Sequence, residues 1–260
     1  MRQTVAIAAP LVFLALLLGA WEAACRLLAV PTYFLPTPSE IAVALWQNAP
    51  LLFVSAWRTL ATALEAFVLV SLLANLAALG AATSRLVEAS FRPIAVALQV
   101  TPIIALAPLF VVWAGVDHPE RAVLALAVVV GFFPIYSGTL AGLNAPDPEL
   151  VRLFDLYGAT LWQRLTRLRI PSAVPQALEG HKVGLGLALV GAVMGELSAG
   201  SGSTEGLAWR IVEASHRLEM AKSFAALVAL SVLGGALYVG FQALERQALA
   251  WWRGRPLGSR

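Results

Sequence analysis

The sequence predicts an all-α integral membrane protein: six transmembrane helices with one large polar loop on the inner face. Three observations predict it. Of 260 residues, 59% are hydrophobic and only 13% charged, where a soluble domain would carry about a quarter charged. Mean hydropathy is +0.78. Apolar runs near the length that crosses a bilayer, about 20 residues, recur along the chain. In lipid, such runs satisfy their backbone groups as helices.

The spans are expected at about residues 3–28, 59–84, 93–116, 122–144, 176–199 and 223–245 of a single domain covering 1–260. The first begins with Arg2, an apolar stretch and small residues around Ala20 and Ala24, a pattern shared with signal peptides. Glu22 stands three positions before Cys25, where a lipoprotein site has an aliphatic residue, so an uncleaved span is expected. Cys25 is the sole cysteine, which excludes an intramolecular disulfide.

Between the first two spans, residues 30–57 hold Pro31, Pro36, Pro38 and Pro50. Ser39 is expected to cap a short helix beginning near Glu40, lying on the outer face. The second span carries one charge, Glu65, roughly two turns from Arg58. A carboxylate at that depth is costly unless paired or wetted. It therefore pairs with Arg58, lies near the outer interface, or faces a solute path.

Pro102 and Pro108 fall in the third span and Pro134 in the fourth. Each frees a backbone carbonyl and can kink its helix, shaping either a cavity or the packing. The fifth span is the shortest, charge-free only over 183–195. Gly180 and Gly184, then Gly191 and Gly195, are spaced by four, which permits close helix approach. Glu196 ends this span, as a boundary residue or at the outer mouth of a path.

With the N-terminus inside, the inner side holds twelve of the 18 Lys and Arg residues and the outer side six. That asymmetry favours both termini in the cytoplasm. The net charge of +3 is thus a topology signal. No basic patch is interleaved with aromatics, which excludes a nucleic-acid surface. His118, His181 and His216 show no metal-ligand spacing.

The inner loop, residues 146–171, has its own pattern. Leu153, Leu156 and Tyr157 share one helix face, and Leu161, Leu165 and Leu168 share another. Gly158 lies between, where a helix can end or turn. Two short amphipathic pieces bent at a glycine form a knob. It either lies on lipid headgroups or docks a cytoplasmic protein.

From Gly158, nine residues lead to Leu168, Arg169, Ile170 and Pro171. This resembles the cytoplasmic loop of bacterial ABC importer permeases: Glu-Ala-Ala, three residues, Gly, nine residues, Ile-x-Leu-Pro. Most of the chain is similar to the nitrate/sulfonate/taurine branch of that family. Leu35, Pro36, Thr37, Pro38 and Ser39 resemble its Leu-Pro-x-Pro-Ser. Residues 93–113, with their prolines, are similar to its third span. Gly131, Phe132, Phe133 and Pro134 resemble its Gly-x-Phe-Phe-Pro, and residues 205–209 its Gly-Leu-Gly with the second glycine replaced. One departure stands out: Arg152, Leu153 and Phe154 occupy the Glu-Ala-Ala positions, so the acidic residue has become basic.

The resemblance implies a type I importer permease in the bacterial inner membrane. It implies that the 146–171 loop carries a coupling helix, docking a cytoplasmic ABC ATPase dimer through Leu153, Asp155, Leu156, Tyr157, Gly158, Ala159 and Leu161. ATP and Mg would reside on that ATPase, and no cofactor on this chain. A second permease subunit, identical or similar, would complete the path, and an external binding protein would deliver the solute. Glu65, Pro102, Pro134, Gly191 and Glu196 are the candidate path residues. Residues 186–196 look closer to branch members linked with pyrimidine thiamine precursors or riboflavin than to sulfonate, taurine or nitrate members.

No Gly-x4-Gly-Lys-Ser/Thr loop occurs, so this chain has no such phosphate cradle. The competing readings are an intramembrane enzyme, such as a protease or lipid-modifying transferase, and a scaffold that only anchors an ATPase. An enzyme would need convergent reactive groups at one depth. Glu65 and Glu196 stand without a histidine, cysteine or lysine at their level.

Overall fold

The computed structural model describes residues 2–100, 102–115, 118–199, 205–252 and 254. Three features of the sequence reading fall partly outside them. These are residues 116–117 of a short outer turn, residues 200–204 of the second outer segment, and Arg253, Arg255 and Arg260 near the C-terminus.

All regular structure among the described residues is helical. The helices are α1 (Arg2–Leu27), α2 (Pro38–Gln47), α3 (Ala49–Thr83), α4 (Arg85–Val100), α5 (Ile103–Ala114) and α6 (Pro119–Leu143). They continue as α7 (Pro148–Leu156), α8 (Leu161–Arg164), a π-helical turn (Leu165–Arg169), α9 (Ile170–Ala199), α10 (Leu207–His216) and α11 (Met220–Trp252). Among the described residues, four helical stretches are long and apolar enough to cross a membrane: Ala49–Thr83, Pro119–Leu143, Leu161–Ala199 and Met220–Trp252.

Local chemistry corrects several expected boundaries. The cap of α2 is Thr37, not Ser39. Pro38 suits the first helical position because its missing N–H is unpaired there anyway. That moves the cap back one residue, and Glu40 closes a capping box with Thr37. Ser39 instead donates its hydroxyl to Glu22 at 2.8 Å.

The second long helix starts at Ala49, ten residues before the expected span, because residues 49–57 are as helix-compatible and apolar as the span itself. The expected third span is divided. Pro102 adopts an extended conformation (φ −69°, ψ 93°) as the N-cap of α5. Pro108 and Pro134 stay inside continuous helices.

The second amphipathic piece of the loop and the fifth span form one 39-residue helix, Leu161–Ala199. Pro171 and Pro175 lie between them without interrupting the helix. The π turn ends at Arg169, two residues before Pro171, whose missing N–H makes a widened turn less costly.

The chain divides into two compact units, and α3 and α11 contribute residues to both. The first comprises Met1–Arg58 and Glu205–Val232. Within it, Arg58 and Arg210 both meet Glu205, and Arg210 also meets Glu213 and donates to Ser55. The second comprises Thr59–Thr204 and Leu233–Arg260.

The core of the second unit is a stripe of small residues on α3, Val70, Ala74, Ala78 and Ala81, against Ile135, Tyr136 and Leu143 of α6 and Ala173 of α9. Small side chains here let helices approach closely, the packing that substitutes for a hydrophobic drive in lipid. The α6–α9 seam is the tightest. A Cβ on Gly138 would lie 2.8 Å from the Gly180 Cα, and one on Gly195 would lie 2.7 Å from the Val123 Cα.

Candidate functional site

The loop of residues 146–171 folds as an internally hydrogen-bonded elbow. Asp147 caps α7 by accepting from the Glu149 N–H at 2.8 Å, with Pro148 at the first helical position. Gly158 ends the helix with φ +61°, the left-handed conformation that disfavours a Cβ. Its N–H donates to the Asp155 carbonyl, and the Ala159 N–H donates to the Phe154 carbonyl, both at 3.0 Å. This pairing is the Schellman arrangement, which satisfies carbonyls that a helix end leaves open.

Thr160 then opens α8 with a second capping box, closed by Gln163. Arg164 locks the two arms: it pairs with Asp155 and donates through Nε to the Ala159 carbonyl at 2.9 Å. Behind the elbow, Arg169 donates to the Ala82 carbonyl of α3, and the Trp252 indole donates to the Pro171 carbonyl at 2.9 Å.

The elbow presents its apolar residues outward. Leu156 is 84% exposed, Tyr157 82% and Leu161 74%. Leu153 and Trp162 are exposed beside them. Leu153, Phe154, Tyr157, Ala159, Gln163 and Arg167 line a surface cavity of about 300 Å³. A polar-tethered, internally braced loop with apolar side chains facing out is built to be covered. Of the residues expected here, Leu153, Leu156, Tyr157 and Leu161 lie on the outer surface. Gly158 and Ala159 shape the bend, and Asp155 braces it.

The candidate path residues are dispersed. Glu65 is exposed on α3, and Arg58 pairs with Glu205 rather than with Glu65. Pro102 separates α4 from α5. Pro134 and Gly191 lie in the α6–α9 seam: a Cβ on Gly180 would come 2.6 Å from the Pro134 carbonyl oxygen, and one on Gly191 2.6 Å from the Ala127 Cα. Glu196 is only 2% exposed and accepts from the Thr59 hydroxyl at 2.7 Å.

Two polar groupings in the second unit were not anticipated. Thr139 of α6 donates to the Asn75 Oδ1 of α3 at 2.7 Å, and Asn75 Nδ2 meets His181 Nε2 of α9 at 3.0 Å. His181 Nδ1 meets the Ala177 carbonyl at 2.7 Å. The carbonyl requires the proton on Nδ1, so Nε2 accepts from Asn75, assigning the neutral tautomer. Lys182 pairs with the buried Glu245 of α11 at 3.0 Å and with Glu179 at 2.8 Å. The only sequence signal for either was a polar residue inside an apolar run.

On the first unit, α2 and the turn before α11 line a cavity of about 400 Å³, with Ser39, Glu40, Gln47, Asn48, Glu219 and Lys222 among its walls. Among the described residues no group of three or more His, Cys, Asp or Glu could hold a metal ion.

Known proteins share this chain's pattern along most of its length. A family model described as "Binding-protein-dependent transport system inner membrane component" matches residues 71–249. The chain is 33% identical over 242 residues to the riboflavin transport system permease protein RibX of Chloroflexus aurantiacus, covering 92% of this chain and 88% of that one. It is 32% identical over 243 residues to the formylaminopyrimidine transport permease protein ThiX of Halalkalibacterium halodurans, covering 93% and 95%. It is 28% identical over 245 residues to the taurine transport system permease protein TauC of Escherichia coli, covering 92% and 87%.

Proposed function

The chain belongs to the family of binding-protein-dependent transport system inner membrane components, as an ABC importer permease of the sulfonate/taurine-type branch, and from that premise we propose how it works. It crosses the membrane six times, with α1 the first span and α4–α5 the broken third, and both termini are cytoplasmic. Two such subunits enclose the path. A separate ATPase dimer, carrying ATP and Mg, grips the elbow through Leu153, Leu156, Tyr157 and Leu161. Asp155, Gly158 and Ala159 hold the elbow in shape.

The observation that carries this reading is the elbow itself: exposed apolar residues on a backbone braced by a Schellman turn, a capping box and the Asp155–Arg164 pair. A rigid lever transmits displacement, whereas a loose loop would absorb it. ATP binds one closed arrangement of the ATPases more tightly, and that difference in affinity shifts the permease between inward- and outward-open states. Leu165–Arg169 and α9 continue from the elbow without a break, so motion of the elbow reaches the α6–α9 seam directly.

Along the path, Glu65 is the candidate for direct contact. An exposed carboxylate midway along a 35-residue apolar helix needs water or a partner. Pro102 supplies the break in the third span. Pro134 and Gly191 set the spacing of the seam beside the path. Glu196 lines the mouth once it separates from Thr59. The α2 cavity side faces the external binding protein.

The substrate class we favour is a small nitrogen heterocycle, a pyrimidine thiamine precursor or a riboflavin-like molecule. Its support is the identity of 33% and 32% to the riboflavin and formylaminopyrimidine permeases, against 28% to the taurine permease. The test is reconstitution in proteoliposomes with the cognate ATPase and binding protein. ATP-dependent uptake of labelled riboflavin or formylaminopyrimidine that requires this chain is expected. ATP hydrolysis coupled to taurine or an alkyl sulfonate alone would overturn the substrate class. ATP hydrolysis with no flux of any of these solutes would favour a scaffold.

A further inference from the structure

Within the second unit, three contacts join α9 to α11. The Pro171 carbonyl accepts from the Trp252 indole at 2.9 Å. Lys182 donates to Glu245 at 3.0 Å. Further along, a Cβ on Gly234 would stand 3.4 Å from the Leu189 Cδ2. The α11 partner's number falls as the α9 number rises, so the helices run antiparallel over residues 171–189. That stretch covers on the order of 27 Å at 1.5 Å per residue.

The middle contact is the demanding one. The Lys182 side chain is 13% exposed and that of Glu245 7%. An apolar pair of the same size is often as stable or more so, because it pays no desolvation of charge. What the ion pair adds is register. A slide of one helical turn, about 5.4 Å, carries the ammonium out of reach of the carboxylate. Lys182 would keep Glu179, three residues away on its own helix. Glu245 would stay buried without its cation, the arrangement that is strongly unfavourable. Among the described residues, Lys182 is the one cation paired with Glu245.

We propose that Lys182 and Glu245 are positioning residues for transport: they hold α11 in register with α9, so that both helices travel together when an ATPase displaces the elbow. The proposal rests on the elbow reading above, since α9 is the helix that continues from the elbow. Without the pair, α9 slides along α11, and ATP is hydrolysed with less solute carried.

The test uses the full chain in proteoliposomes with its cognate ATPase and binding protein, carrying Cys25→Ser so that only added cysteines react. In one chain, Leu189→Cys and Gly234→Cys are bridged by a bis-thiosulfonate reagent, with the ion pair intact. Bridging leaves ATP hydrolysis unchanged, because the bridged helices do not slide. A bridge that stops hydrolysis overturns the proposal. In a second chain, Lys182→Cys with Glu245→Cys removes both charges together. Unbridged, it takes up about fivefold less labelled riboflavin or formylaminopyrimidine per ATP, the size of effect that coupling residues show. Bridging restores the ratio. An unchanged ratio in the unbridged chain overturns the proposal, as does a lowered ratio that bridging leaves low, the mark of a merely structural pair. Leu156→Asp with Tyr157→Asp separates the two readings. If that variant keeps the ATPase, the elbow reading fails and the proposal with it; if it loses the ATPase, a failure in either cysteine chain belongs to the ion pair alone.

Discussion

The carbonyl oxygen of Pro134 occupies the space that a Cβ on Gly180 would need: the two would stand 2.6 Å apart. No flexible side chain can move aside there, because the atom in the way is backbone. Gly180→Ala is therefore expected to destabilise the second unit by about 1–3 kcal/mol, the usual cost of overpacking. Gly186→Ala, on the same helix with nothing within 4 Å of its Cβ, is the matched control. Thermal unfolding of the two variants in detergent checks this: Gly180→Ala melts lower and Gly186→Ala does not.

The elbow makes a separate demand at Gly158. Its φ of +61° costs an ordinary L-residue roughly 1–2 kcal/mol, and asparagine bears it best. Gly158→Asn should keep substrate-stimulated ATPase activity in the assembled transporter. Gly158→Glu should lose it, because the proposed docking bend is disturbed, while the purified chain still folds. Normal stimulated activity in Gly158→Glu would sink this role.

Asp155 and Arg164 brace the elbow from either arm, and both are partly exposed. Surface pairs of this kind contribute at most about 1 kcal/mol to stability. Asp155→Ala should leave folding unchanged and lower the coupling of ATP hydrolysis to uptake. The double exchange, Asp155→Arg with Arg164→Asp, should recover part of the coupling, since the ion pair is restored with its polarity reversed while the bond from Arg164 to the Ala159 carbonyl is lost. Equal coupling in all three chains, wild type and both variants, would show that the pair holds nothing.

The Thr139–Asn75–His181 chain ties α6, α3 and α9 together. Asn75→Ala removes the middle member and leaves Thr139 and His181 each short of a partner. Each buried group left unpaired is expected to cost about 1–3 kcal/mol. Asn75→Leu with Thr139→Val and His181→Leu, which removes every polar member, should be less destabilising than Asn75→Ala alone. Chemical or thermal unfolding of the two variants decides it.

Much of this fold is legible in the sequence, because lipid imposes a simple rule: apolar runs of sufficient length become helices. The long helices, the inner loop and its bend at Gly158 come from apolar periodicity and one glycine. The boundaries are less readily found. Pro38 shifted the cap of α2 from Ser39 to Thr37, and whether a proline breaks a helix depends on what replaces its missing hydrogen bond. Pro102 breaks one, whereas Pro134 does not. The exposed apolar face of the elbow could be read from Leu153, Leu156, Tyr157 and Leu161. Its internal brace could not, because Asp155 and Arg164 meet only once the chain has turned. Partners far apart in sequence, such as Thr59 with Glu196 or Asn75 with His181, leave no local pattern at all.

Docking of an ATPase on the elbow is tested most directly by purifying the tagged chain from its native membranes in mild detergent, beside a Leu156→Asp, Tyr157→Asp variant. Both residues are exposed, so the variant should fold and reach the same yield. The expected result is a stoichiometric P-loop ATPase travelling with the wild-type chain and missing from the variant. Equal recovery of the ATPase with both chains, or its repeated absence from both while the chain stays folded, would contradict the elbow as the docking site.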